Sequence, residues 1–172
     1  MKSASPSFET RVAQPEDARA LAGLLEELGF PATVDVIAQR LSALAEGCET
    51  VLVGTQGAEV LGFVTVHVTP VLHRSSPVGR ITALAVAGRV RRQGLGRALV
   101  AAAERHLVGA GCGLSEVTSN QKLTEAHAFY QQLGYAMTSY RFGKSLPDVT
   151  AVAPAPGSTS ALGVQGAPKQ AE

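Results

Sequence analysis

The chain has no tryptophan, only two cysteines, 5% aromatic residues and a formal net charge of +1 over 172 residues. Each scarcity removes a class of protein. Cys48 and Cys112 lie far apart and form no CxxC, so neither a disulfide framework nor a cysteine metal site is indicated. Both are expected to be reduced, buried, small apolar residues. A balance this close to neutral gives no general attraction to nucleic acid or to an anionic membrane, although charge can still concentrate locally. No run of about 18 apolar residues occurs that would cross a bilayer. Residues 1–8, MKSASPSF, lack the apolar centre of a secretory leader. A cytoplasmic protein is the simplest reading, with no metal and no membrane partner.

What is present fits one folded domain. A hydrophobic content of 45% in a chain of this length is enough for a single well-buried core and too little chain for two. The expected division is a flexible start over residues 1–7, a domain over residues 8–146 and a tail over residues 147–172. In that tail Ala, Pro, Gly and Ser leave almost nothing to offset the entropy of ordering, so disorder is predicted.

Periodicity orders the elements. QPEDARALAGLLEELGF places Pro15 and acidic residues at a helix start, with Leu21, Leu24, Leu25 and Leu28 at helical spacing and Gly29 as the stop. ATVDVIAQRLSALAEG repeats the plan with Thr33 as N-cap, Val36, Ile37, Leu41 and Leu44 on one face, and Gly47 at the end. TVLVGTQGAEVLGFVTVHV reads as a hairpin, and GRITALAV as a further strand. A helix from Leu95 through Leu99, Ala102, Ala103 and Leu107 follows. A short strand in GLSEVTS, a helix in LTEAHAFYQQLG and a last β-like run in YAMTSYRFGKSL complete the order.

The stretch VRRQGLGRALVAAAERHL, residues 90–107, carries the chemistry. The first turn of a helix presents unpaired N–H groups and a partial positive charge, and Gly94 and Gly96 remove side chains that would hold an anion away from them. A diphosphate is the natural guest, with Arg91, Arg92 and Arg97 near enough to add charge-assisted contacts. Taken alone, glycines that relax a strand-to-helix turn beside a solvated arginine face explain the stretch at least as well. The spacing is not that of a Walker loop, and the third glycine of a dinucleotide fingerprint is missing.

RRQGLG resembles the R/Q-x-x-G-x-G/A signature of the GNAT superfamily of N-acetyltransferases, with Arg91, Gly94 and Gly96 at its defining positions. AHAFYQQLGY resembles that family's late helix. The resemblance covers residues 8–146 and implies an α/β fold, a mixed sheet splayed into a V between its fourth and fifth strands and flanked by helices. It further implies acetyl-coenzyme A in the cleft as cosubstrate. Carried over, the backbone of Leu84 and Val86 would pair with the pantetheine arm, and the Leu84 amide would face the acetyl carbonyl. Arg91, Arg92, Gln93, Gly94, Leu95, Gly96 and Arg97 would hold the diphosphate. Tyr130 matches the proton donor to the leaving sulfur.

Two positions depart from the family pattern. Where relatives carry Glu or His on the fourth strand as a base, this chain has Arg80 and Thr82. Glu26, Glu27, His67, His73 and Glu116 are the remaining candidates beside a water chain, and His127 lies one turn before Tyr130. Where relatives carry Asn before the late helix, Leu123 stands here, with Asn120 or Gln121 as substitutes. The resemblance implies direct acetyl transfer to a primary amine, preferably of a small molecule. Transfer to a protein N-terminus or lysine and a noncatalytic acyl-coenzyme A sensor are the alternatives. A homodimer is left open, and nucleic acid is not an expected partner.

Overall fold

A computed structural model describes residues 7–45 and 47–146. The stretch read as a disordered tail lies outside the described residues. The chain divides into two units, Met1–Ala136 and Met137–Glu172, and among the described residues every regular element belongs to the first. These are β1 (Glu9–Val12), α1 (Ala18–Glu27) entered through a 3₁₀ turn at Pro15–Asp17, α2 (Val34–Ala45), β2 (Glu49–Gln56) and β3 (Glu59–Thr69). Then come β4 (Val78–Val86), a 3₁₀ turn at Gly88–Val90, α3 (Leu95–Gly109), β5 (Leu114–Val117) and α4 (Thr124–Gln132). The five strands lie in sequence order, β1 to β4 antiparallel and β5 parallel to β4. The element order matches the periodicity up to α4.

One sheet face is built to receive α3. Gly54, Gly62 and Gly79 all lie under its leucines. A Cβ on Gly62 would stand 2.7 Å from the carbonyl oxygen of Ala85 and 3.1 Å from Leu99, so bare backbone is what lets the helix approach. Leu95 and Leu99 are fully buried as a result. Each such side chain contributes roughly 1.5–3 kcal/mol relative to exposure. On the opposite face Val51, Val53, Leu61 and Phe63 are buried with Ala18, Leu21 and Leu24 of α1 and Ile37 of α2.

Strand alternation continues that second face into Glu49, Thr65, His67 and Arg80, none of them fully buried. One face is therefore apolar at one end and polar at the other.

Three sequence expectations are corrected. Cys48 is exposed, because it sits in the turn that enters β2 rather than inside a strand. Val36 is exposed although its neighbour Ile37 is buried, since adjacent helical residues point about 100° apart. YAMTSYRFGKSL forms no strand: residues 136–146 carry no regular element, and Met137, Tyr140, Phe142 and Leu146 are all exposed. An alternating pattern becomes a strand only when its backbone groups find a partner ladder. The predicted cap does form, with the Val36 N–H donating to Thr33 Oγ1 at 3.4 Å.

Asp17 ties the first strand to the first helix. Its carboxylate accepts two hydrogen bonds from the Arg11 guanidinium, at 2.7 and 2.8 Å, and one from the Gln14 N–H at 2.8 Å. The Arg11 bonds hold the Asp17 pKa below the ordinary value, against the burial that opposes ionisation. A lowered folded pKa stabilises the fold fully above the unfolded value of about 3.9, and that stabilisation disappears as pH falls through the folded value. Asp17→Asn should cost about 1–3 kcal/mol at pH 7, toward the low end because water reaches Arg11. Thermal melts should show the gap between wild type and variant closing as pH drops from 5 to about 2.

Candidate functional site

The sheet parts in the middle of β4. Its pairing with β5 begins at Val78 opposite Leu114 and ends at Ile81 opposite Val117, whereas its pairing with β3 runs on to Val86. Residues 82–86 therefore have a partner strand on one edge only. The Ala87 N–H donates to Leu61 O on β3 at 2.8 Å. Because successive residues of a strand point their N–H and C=O groups to opposite edges, Leu84 and Val86 point theirs into the opening. The Arg91 Nε, reaching Val86 O at 3.2 Å from that side, agrees with this direction.

The start of α3 opens beside the same edge. Gly94 takes a left-handed conformation, φ 97°, as N-cap and supplies no side chain to the helix end. The first helical N–H to reach a carbonyl is that of Ala98, on Gly94 O at 3.0 Å. The N–H groups of Leu95, Gly96 and Arg97 precede it, at the positive end of the helix dipole. Arg92 also has positive φ, 62°, so two left-handed residues fold the loop back on itself. Leu95 anchors the turn because its side chain is buried while its backbone stays at the helix end.

The arginines divide between support and solvent. Arg91 turns back onto Val86 O and toward Glu27, 3.8 Å away. Glu27 accepts a 3.1 Å hydrogen bond from the Gly88 N–H and so pins the end of β4 to α1. Arg89 pairs with Glu59, and Gln93 Nε2 donates to Arg89 O at 3.2 Å. Arg92 lies 3.6 Å from Glu125 with both side chains almost wholly in water, a pair worth little. Arg97 is exposed at the helix start.

α4 completes the site. A Cβ on Gly96 would lie 3.5 Å from the Phe129 ring and 3.8 Å from Val86, so α4 sits against both the α3 start and the β4 end. Tyr130 follows Phe129, their rings edge-on at 5.2 Å, and Tyr130 meets Tyr135 at 5.8 Å. Burial raises the Tyr130 pKa, which keeps its hydroxyl protonated at neutral pH. The Tyr135 hydroxyl shares a 2.9 Å hydrogen bond with Ser115, and burial pushes its pKa to about 12.

The other sequence candidates are placed less centrally. Glu116 is engaged by Arg80 at 3.0 Å, and Glu27 by the loop. His73 is exposed in the β3–β4 connection, and Glu26 lines a shallow depression with Pro31, Ala32 and Thr33. His127 Nε2 bonds Asn120 O at 2.9 Å, while Asn120 Oδ1 accepts from the Lys122 N–H at 2.9 Å. Both residues thus shape the turn into α4. One residue escaped the sequence reading: Glu49, at the start of β2, accepts a hydrogen bond from Thr82 Oγ1 at 2.9 Å. No motif marks it, since strand register alone brings it there.

The acetyltransferase (GNAT) family model matches residues 18–135. An aminoalkylphosphonate N-acetyltransferase of Salmonella typhimurium is 36% identical over 91 residues, an alignment covering 53% of this chain and 59% of that protein. The chain thus matches less than two thirds of that relative's length. Among solved structures, an aminoglycoside N-acetyltransferase in complex with coenzyme A has a TM-score of 0.73 at 17% identity, covering 81% of this chain and 95% of the other. Glucosamine-6-phosphate N-acetyltransferase from Arabidopsis thaliana has a TM-score of 0.70 at 19% identity, covering 82% and 99%. At such identities the likeness is one of fold. The matched span holds the parted strands, the glycine-opened helix and the helix of Tyr130, and on that span the chain belongs to the acetyltransferase (GNAT) family.

Proposed function

We infer that the protein is an acetyl-coenzyme A-dependent N-acetyltransferase that passes the acetyl group directly to a primary amine of a small molecule. The observation that carries this reading is the early end of the β4–β5 pairing beside an uncapped helix start. A strand edge that has no partner strand from residue 82 to residue 86, with the Val86 carbonyl held only by the exposed Arg91 side chain, suits an extended amide-bearing arm, and free helical N–H groups suit a diphosphate.

When bound, acetyl-coenzyme A supplies an activated acetyl thioester. The backbone of Leu84 and Val86 holds the arm, and the Leu84 N–H offers a fixed donor for charge developing on the acetyl oxygen. Backbone groups of residues 92–97 hold the diphosphate, with the Arg92 and Arg97 side chains adding charge. Tyr130, whose hydroxyl makes no hydrogen bond among the described residues, donates its proton to the leaving sulfur. Neither cysteine adjoins these groups, so transfer runs without an acyl-cysteine intermediate. The relative that acts on aminoalkylphosphonates places those compounds first among acceptors to try.

Coenzyme A should stabilise the fold, by about 2.7 kcal/mol at a hundred times its dissociation constant. Gly94→Val should weaken binding at least tenfold, because φ 97° is a conformation that a β-branched residue rarely adopts, so the loop must change its backbone although a Cβ there meets nothing within 4 Å. Calorimetry and thermal melting check both. No binding by the wild type at millimolar coenzyme A overturns the assignment.

Acetyl-coenzyme A incubated with aminoalkylphosphonates, aminoglycosides, amino sugars and peptides, with free thiol measured, tests the transfer. Tyr130→Phe keeps the ring and removes the proton, so single-turnover transfer should slow about a hundredfold to ten-thousandfold, nearer the lower figure for a weakly basic thiolate. Cofactor affinity should be unchanged. A wild-type rate in that variant returns Tyr130 to a packing role, and binding without transfer to any amine makes the protein a sensor.

A further inference from the structure

We propose that Thr82 and Glu49 form a two-residue relay that takes the proton from the acceptor amine. This rests on the acetyl-transfer reading of the site. An amine with a pKa of about 10 is almost wholly protonated at pH 7 and cannot attack until a proton leaves. The strand positions beside the opening hold an arginine and a threonine, and Arg80 is engaged by Glu116. The carboxylate is supplied from two strands away.

A bulge on β4 makes this arrangement. Thr65 stands opposite Ala83 and Val66 opposite Ile81, so Thr82 is the extra residue and has no partner of its own. A bulge re-aims the side chain it carries. Thr82 Oγ1 is turned onto the polar end of the sheet face, 2.6 Å from Thr65 Oγ1 and 2.9 Å from Glu49 Oε1. Since a carboxylate only accepts, the single Thr82 proton is directed at Glu49 and Thr65 donates to Thr82. The Thr65 carbonyl oxygen, 3.4 Å from Thr82 Oγ1, is a longer and weaker alternative acceptor for that proton, and one lone pair of the hydroxyl of exposed Thr82 remains. The residue lies two positions, about 7 Å, before Leu84 along β4.

The proton balance closes without a further reactant. The N–H bond of the ammonium breaks as its proton passes to Thr82 Oγ1. The original Thr82 proton passes to Glu49 Oε1, and the nitrogen keeps its electron pair. Thr82 ends neutral, and Glu49 ends protonated and later returns the proton to water. Thr82 is the group that touches the amine, and Glu49 acts through it.

The surroundings leave Glu49 free for this. His67 of β3 stands directly opposite it, Arg80 of β4 stands opposite His67, and Glu116 of β5 stands opposite Arg80. Arg80 is bonded to Glu116, and α2, which packs on β2, carries Asp35 and Arg40, neither ion-paired with Glu49 among the described residues. The other sheet face is covered by α3.

The test uses the full chain, acetyl-coenzyme A and the panel amine with the highest rate, 2-aminoethylphosphonate being tried first. Glu49→Gln should lower kcat/KM for the amine about a hundredfold at pH 7. The deficit should shrink as pH rises toward 10, where the amine already loses its proton in water. Coenzyme A affinity should stay at the wild-type value. Thr82→Val should show the same deficit and the same pH dependence, while Thr82→Ser, which keeps the hydroxyl, should restore most of the rate. A Glu49→Gln rate within twofold of wild type at pH 7, a deficit that does not change with pH, or a Thr82→Ser protein that melts normally yet is as slow as Thr82→Val overturns the relay alone. If wild-type protein transfers acetyl to no panel amine, the acetyl-transfer reading fails and the relay fails with it.

Discussion

β4 keeps β3 as its partner from end to end on one edge, broken only by the bulge at Thr82, and is paired only part of the way on the other. The rest of the site follows from that inequality. A strand that keeps β3 as partner to Val86 but loses β5 after Ile81 must present main-chain groups to whatever enters the opening. Exposed edges invite unwanted pairing, and proteins normally cover or shorten them. Here the edge is short and flanked by α3 and α4, which limits it to a narrow guest. An edge of this size suits the backbone-pairing cosubstrate arm that the proposed function assigns to it.

Rigidity around the opening comes from close packing on the face that bears no polar site. Gly54, Gly62 and Gly79 let α3 lie against backbone, and Leu95, the first residue of that helix, is locked into the core. The helix start is thereby fixed relative to β4 without any contact from its own exposed N–H groups. Glu27 adds a second restraint by bonding the Gly88 N–H from α1, 61 residues earlier in the chain. Anion-binding groups gain most when they are positioned in advance, because no free energy is then spent on ordering them.

The opposite face divides its labour along the strands. Where α1 and α2 lie, it is largely apolar, with Val51, Val53, Leu61 and Phe63 buried. Beyond them it becomes a row of cross-strand pairs, Glu49–His67, His67–Arg80 and Arg80–Glu116, with Thr65 and Thr82 beside it. Among the described residues Arg80–Glu116 is the one ion pair in that row, and an exposed pair of this kind stabilises it modestly. On the proposed reading the row's larger consequence is chemical, because an acceptor amine reaching the Leu84 amide would meet this polar floor.

Composition and periodicity by themselves determined the helices, the hairpin, β4, β5 and the glycine-opened turn, since these depend on spacing and on residues such as Gly94 whose conformation few others adopt. The motif RRQGLG and the Tyr130 segment were legible because each is contiguous. What only the tertiary structure decided is whatever depends on register between distant strands. The Glu49–Thr82 bond joins residues 33 apart and requires a bulge that no local pattern announces. The same reasoning explains the run YAMTSYRFGKSL, whose alternation is visible in the sequence but whose strand required a hydrogen-bonding partner. Side-chain periodicity reports which face a residue prefers, whereas pairing partners are chosen by the whole chain packing at once.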